Sequence, residues 1–184
     1  MIKDSSTLND NRSFDKTALE IGFGNGEDFF SFAKEKNNTL FLASEVYKSG
    51  IGNLIGNMRE HSIENICLYE GDIRDLIFEE EGFRFDEVYI ICPDPWPKDR
   101  HHKRRLLSRD FFERIQSCLK TNSFIFLSTD WENYAFQIQD VLRDFEDKFS
   151  IENVKQIPGR ELSKFQKKGI KEGRDIYTFK LSLI

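Results

Sequence analysis

Residues 17–36 read TALEIGFGNGEDFFSFAKEK, and the order of segments within them sets the fold. The apolar run Thr17-Ala-Leu-Glu-Ile21 predicts a strand. Gly22-Phe-Gly24-Asn-Gly26 supplies the backbone freedom of a tight turn, and Glu27 to Lys36 carries helical apolar spacing. Strand, glycine turn and helix in that order open a nucleotide-binding α/β unit.

Working outward, the alternation continues. Leu40 to Ser44 is a second strand ending at Glu45, and Ile51 to Arg59 is a helix with Ile51, Leu54, Ile55 and Met58 on one face. Ile66 to Tyr69 is a third strand, followed by Glu70-Gly-Asp72 and a short acidic helix. Phe85 to Cys92 and Ser123 to Leu127 are the fourth and fifth strands, with a helix at Arg109 to Leu119 between them. Trp131 to Phe149 is the longest helical candidate. Ile151 to Ile157 and Asp175 to Ile184 are the last strands, and the alternation in the final one suits unequal faces or an edge position. The expected architecture is α/β: one open, mostly parallel seven-stranded sheet, helices on both faces and an antiparallel last strand.

The chain has 184 residues, enough for a single domain over 1–184 with a substantial core, and residues 1–14 read as a flexible arm. No apolar run approaches the ~20 residues of a membrane span, and the start of the chain lacks a signal-peptide core, so the expectation is a cytoplasmic protein without a membrane partner. Cys67, Cys92 and Cys118 have no CxxC spacing and read as reduced thiols. The formal net charge is -5, yet six Lys or Arg fall between Lys98 and Arg109 and seven between Lys155 and Arg174. Acidic excess lies elsewhere, including Glu79-Glu80-Glu81 and Asp140 to Asp147. The basic surface is therefore local, as two patches.

In an open α/β sheet, ligands bind beyond the strand C-termini. Gly22, Gly24, Gly26, Glu45, Asp72, Asp94 and Asp130 all fall at or just beyond such ends. The glycines do not follow the dinucleotide pattern, because Glu27 stands where its third glycine belongs, and a carboxylate there opposes a pyrophosphate. A nucleoside carrying positive charge and no phosphate fits better than NAD. S-adenosylmethionine has those properties: Glu45 can accept from its ribose hydroxyls, and Asp72 can meet its adenine amino group or a neighbouring backbone.

Prolines 93, 95 and 97 restrict Asp94 and Trp96, which gives a stiff turn beside the expected cofactor. Arg100, Lys103, Arg104 and Arg105 follow and can position nucleic-acid phosphates. His101 and His102 lack a carboxylate or Cys set for a metal and read as hydrogen-bonding partners of phosphate or of the loop.

Pro93-Asp-Pro-Trp-Pro-Lys98-Asp-Arg-His-His-Lys-Arg-Arg-Leu106 resembles the signature of the bacterial tRNA (guanine-N7)-methyltransferases. The resemblance extends to Leu19-Glu-Ile-Gly-Phe-Gly-Asn-Gly26, Glu45 to Gly52, Ser128 to Tyr134 and Ser163-Lys-Phe-Gln-Lys-Lys-Gly169. It implies a class I (Rossmann-like) S-adenosylmethionine-dependent methyltransferase fold and methyl transfer to N7 of a guanine in the tRNA variable loop. By the family pattern, Glu20, Glu45, Asp72 and Asp94 are the carboxylates around the cofactor. Lys98, Asp130 and Ser163, Lys164, Phe165 and Gln166 face tRNA, and Asp94, at the boundary, is the catalytic residue.

Two departures stand out. The family usually has Thr-Lys-Phe-Glu where this chain has Ser163-Lys-Phe-Gln166, which keeps a hydroxyl and removes a charge. The segment before Leu19 is short for the family, whose upstream residues often help hold tRNA. Guanine N7 already bears a lone pair, so no general base is assigned, and Trp131 and Tyr134 are candidates for holding the base. Two other readings stay open: a tRNA-binding module of the same fold with little turnover, and a methyltransferase acting on another RNA or a small molecule. The oligomer is expected to be a monomer or homodimer.

Overall fold

The computed structural model describes residues 14–79 and 82–184. The expected arm, apart from Phe14, lies outside the described residues, as do Glu80 and Glu81.

The opening unit forms as its sequence dictates. Strand β1 (Lys16–Ile21) leads through the glycine turn into helix α1 (Glu27–Glu35). Then come β2 (Thr39–Glu45), α2 (Lys48–Glu60), β3 (Ile66–Glu70), α3 (Ile73–Glu79) and β4 (Phe85–Ile91). The basic run Asp99–Arg104 is a 3-10 turn. It precedes α4 (Arg109–Ser117), β5 (Leu119–Thr129), α5 (Glu132–Arg143), β6 (Phe149–Asn153), α6 (Lys164–Lys171) and β7 (Tyr177–Leu183).

The sheet order is β3-β2-β1-β4-β5-β7-β6. Strands β1 to β5 pair in parallel, and β7 runs antiparallel to both β5 and β6. The final strand is thus interior, and β6 takes the edge that its alternation had left open. The predicted helix over 131–149 ends at Arg143, and residues 144–148 form turns that bring Phe149 into β6.

Successive strand residues face opposite sides, and this splits the core in two. Leu19, Ile21, Leu40, Leu42, Val88, Ile90, Ile125 and Leu127 pack on one face against α3, α4 and α5. Ala18, Phe41, Ala43, Tyr89, Ile91 and Phe126 pack on the other against Phe29, Phe32, Ile51 and Leu54 of α1 and α2. Glu20 belongs by alternation to the second face and is fully buried there.

Strand order reverses between β1 and β4, the point at which open α/β sheets form a crevice. The glycine turn leaves β1 on one side of it, and the Pro93–Pro97 turn leaves β4 on the other. The fold therefore brings the two most distinctive sequence stretches together.

Candidate functional site

The glycine turn needs its glycines. Gly22, Gly24 and Gly26 have φ of 74°, 59° and 83°, a left-handed conformation costly for other residues. A Cβ on Gly22 would meet nothing within 4 Å, so the space above the end of β1 is open. The first turn of α2 lies against this loop: a Cβ on Gly50 would come within 1.8 Å of the Gly24 carbonyl oxygen.

Each strand-end carboxylate has a distinct setting. Glu20 receives a bidentate pair from Arg160, Nη1 to Oε2 at 2.7 Å and Nη2 to Oε1 at 2.8 Å. Burial pushes the Glu20 carboxyl up, and the Arg160 cation only partly offsets it. Glu45 binds backbone: Oε2 accepts from Gly24 N at 2.6 Å, and Oε1 from Val46 N and Tyr47 N at 2.7 and 2.9 Å. Asp72 accepts from the Nε of Arg74 at 3.0 and 3.1 Å, and those hydrogen bonds hold its carboxyl below the usual range. Asp130 pairs with Nη2 of Arg174 at 3.1 Å. Asp94 is exposed, and among the described residues its carboxylate has no hydrogen bond or ion pair.

The sheet brings Asp94 and Asp130 to one edge. Ile91 pairs with Ser128 across β4 and β5, and Cys92 N donates to Ser128 O at 2.9 Å. Asp94 and Asp130 each lie two residues beyond these partners.

The late motif joins them through α6. Ser163 caps that helix in a capping box: Gln166 N donates to Ser163 Oγ at 3.2 Å, and Ser163 N to Gln166 Oε1 at 2.8 Å. The Gln166 amide also donates to Ser128 Oγ at 3.2 Å and is 5% exposed. A Cβ on Gly169 would fall 2.6 Å from Asp130 Oδ2, so the helix seats directly on that carboxylate. Phe165 is 58% exposed, and its ring lies beside Gly24, at 3.5 Å from where a Cβ would stand. Lys164 is exposed on the same turn of helix.

The basic run divides into an outer and an inner part. Lys98, Arg100, Lys103 and Arg104 are exposed. Arg104 lies over the Trp96 ring at 4.9 Å, and His101 meets that ring edge-on at 5.9 Å. Trp96 itself has φ 44°, an uncommon conformation for a bulky side chain. Arg105 departs from the sequence expectation. It is 3% exposed, donates to Pro95 O, Gln137 Oε1 and Asn133 Oδ1 at 2.8, 2.6 and 2.9 Å, and lies over Tyr134. Each of its three nitrogens donates to a neutral acceptor of the protein, so it fastens the proline turn to α5 and is withdrawn from phosphate.

Tyr134 also departs from expectation. It is fully buried, accepts from Leu107 N at 3.0 Å, and burial pushes its hydroxyl up to about 12, so it is a core residue. Trp131 is half-buried beneath Arg174, 5.6 Å from the ring. Among the described residues no group of His, Cys, Asp and Glu is arranged to hold a metal ion.

The residues fit S-adenosylmethionine. Open space over Gly22 leaves room for a ligand, the acidic surroundings suit a sulfonium, and Glu45 keeps acceptor capacity on Oε2 beyond the Gly24 amide. Sequence reasoning missed Arg160, Gly50 and Gly169. Arg160 stood in a basic stretch read as surface, Gly50 just before the helix expected from Ile51, and Gly169 in a stretch where no helix was expected.

Comparison with known proteins gives the class first. A family model described as "Putative methyltransferase" matches residues 15–179. In fold, the chain is similar to a precorrin-6y C5,15-methyltransferase from Geobacter metallireducens, with TM-score 0.64, 14% identity, and coverage of 96% of this chain and 84% of the other. A SAM-dependent O-methyltransferase from Thermotoga maritima gives TM-score 0.63 at 13% identity, covering 96% and 62%. The fold and site define a class I S-adenosylmethionine-dependent methyltransferase.

The particular family follows from closer relatives. A tRNA (guanine-N(7)-)-methyltransferase of Nitrosococcus oceani is 37% identical over 160 residues, 86% of this chain and 68% of the relative. Its namesake in Nitrosomonas europaea is 37% identical over 172 residues, 89% and 75%. The chain belongs to the tRNA (guanine-N(7)-)-methyltransferase family.

Proposed function

We propose that this protein transfers the methyl group of S-adenosylmethionine to N7 of a guanine in tRNA, in the variable loop. The observation that carries this reading is Asp94, the exposed carboxylate at the β4 end of the crevice. Other strand-end carboxylates bind Arg160, backbone amides, Arg74 or Arg174, whereas Asp94 is open toward ligand.

When bound, S-adenosylmethionine supplies a methyl carbon that the N7 lone pair attacks as the carbon–sulfur bond breaks toward sulfur and positive charge passes to the purine. N7 carries no proton, so no residue acts as general base. The work left to the protein is alignment and charge stabilisation. Pro93 and Pro95 restrict the backbone around Asp94, and Arg105 pins Pro95 from below. Asp94 then meets the charge that develops on the base. The glycine turn, held by Glu45, receives the donor, and the rim of Asp72 lies at the neighbouring strand end.

Lys98, Arg100, His101, Lys103 and Arg104 form the outer surface for tRNA phosphates, with Lys164 on α6 extending it. Asp130 and Phe165 line the base side. Gln166 acts through the helix cap and Ser128, so the missing charge of the late motif does not remove a substrate contact. A cytoplasmic monomer or homodimer fits this reading.

The test is methyl transfer from labelled S-adenosylmethionine to an unmodified tRNA transcript, followed by nucleoside analysis. N7-methylguanosine is expected, and its loss when the variable-loop guanine is replaced locates it. No N7-methylguanosine at high protein concentration overturns the proposal.

A further inference from the structure

One buried cation spans the cofactor turn. Glu20 lies in β1 just before the turn, and Asp28 lies in the first turn of α1 just after it. Arg160, from the segment between β6 and α6, binds both: its two terminal nitrogens hold Glu20 at 2.7 and 2.8 Å, and Nη2 also reaches Asp28 Oδ2 at 2.9 Å. The guanidinium side chain is 2% exposed and lies over the Phe32 and Tyr89 rings at 5.1 and 5.7 Å.

The placement is stiff on both sides. Arg160 N donates to Ile157 O at 3.2 Å, and its own carbonyl accepts from Gln156 Nε2 at 2.9 Å. Burial alone lowers the Arg160 pKa, but Glu20 and Asp28 outweigh it and raise it, so the cation persists. Three residues later Ser163 caps α6, the helix that carries Phe165 to Gly24 and Gly169 to Asp130.

We infer that Arg160 is a positioning residue for methyl-donor binding: by bridging Glu20 to Asp28 it fixes the spacing across Gly22–Gly26 and ties that turn to α6. Glu20 on this account shapes the turn through Arg160. A flexible glycine turn has many backbone states to lose on binding, and a clamp across its ends removes them beforehand. The inference rests on the methyltransferase reading above, and Arg160 acts before any chemistry.

Asp28→Asn is the decisive variant, because it leaves the Glu20–Arg160 pair intact and the core charge-balanced. Arg160→Lys, which keeps the charge but loses the fork, is its companion. The measurements are hydrogen exchange of the ligand-free proteins and calorimetric binding of S-adenosylhomocysteine, the reaction's product. For Asp28→Asn we expect faster exchange confined to residues 22–28, an unchanged melting temperature, and S-adenosylhomocysteine binding weakened about 5- to 10-fold, on the order of 1 kcal/mol. The KM for the donor should rise by a similar factor with kcat within about 2-fold, the pattern of lost ground-state positioning.

Should Arg160→Lys fail to fold, Asp28→Asn alone decides. A folded Asp28→Asn protein with unaltered exchange at 22–28 and unaltered binding overturns the inference and leaves the methyltransferase reading standing. Failure of the unsubstituted protein to bind S-adenosylhomocysteine overturns both.

Discussion

The Nε of Arg105 donates to the carbonyl of Pro95 at 2.8 Å, folding the basic run back onto the turn that presents Asp94. A residue that looked like one more phosphate contact is the fastening of the turn that carries Asp94. Arg105→Ala should cost about 2–3 kcal/mol of stability, since a buried charged donor set is lost and Pro95 O is left without its partner. The variant should lose methyl transfer more than tRNA affinity. Thermal unfolding and a filter-binding titration separate the two effects.

The outer cations predict the opposite pattern. Arg104→Ala should weaken tRNA binding and lower the slope of log K against log salt by about 1, the signature of one lost phosphate contact. Donor binding should stay unchanged. An unaltered salt slope would show that Arg104 serves only to cover Trp96.

Gly50 allows α2 to meet the cofactor turn. In Gly50→Ala the new methyl would stand 1.8 Å from the Gly24 carbonyl oxygen, a backbone atom that cannot rotate away. Overpacking of this kind costs about 1–3 kcal/mol. The displaced turn should also bind S-adenosylhomocysteine at least about 10-fold more weakly, a difference of about 1.4 kcal/mol. Calorimetry on the folded variant checks this.

Acid stability should depend on Glu87. Burial alone raises its carboxyl, but hydrogen bonds from Lys36, Tyr89 and Lys16 outweigh it and hold the pKa below the ordinary 4.5. A depressed folded pKa gives stabilisation that is full above the unfolded value and is lost as pH falls through the folded one. Glu87→Gln should therefore be less stable at neutral pH and show a shallower loss of stability below pH 4.5, as read by urea melts across the acid range.

Cys92 should resist alkylation. Burial pushes its thiol up to about 12, with the Asp130 charge adding to the effect. Thiolate is the reactive form, so iodoacetamide at pH 8 should label Cys92 only after denaturation. Mass mapping of the labelled peptide reads this directly.

Much of the fold is legible in the sequence because alternation and strand-end punctuation are local signals. Leu19, Leu40, Val88 and Ile125 announce their strands, and the glycine and proline turns mark the crevice between β1 and β4. What escaped depends on partners distant in the chain. Arg160 meets Glu20 across 140 positions, and nothing near either residue encodes the pairing. Arg105 and Arg104 are adjacent and alike in type, yet one faces α5 and the other solvent, a difference fixed by how the 3-10 turn lies on the protein. Tyr134 looked available for a base but is drawn into the core by its place on α5. Gln166 read as a weakened ligand, and its amide instead completes a helix cap, which either Gln or Glu can do.

The reversed insertion of β7 has a consequence for biosynthesis. A chain emerging from its N-terminal side can pair β1 to β5 early, but β5 keeps a naked edge until residues 177–183 arrive to lie between it and β6. Arg160 and α6 come from the same late portion, so the donor turn is completed only as the sheet is closed. A product truncated before Arg160 would leave the β5 edge open to aggregation and would lack both Arg160 and α6, so the open edge and the unfinished donor turn go together.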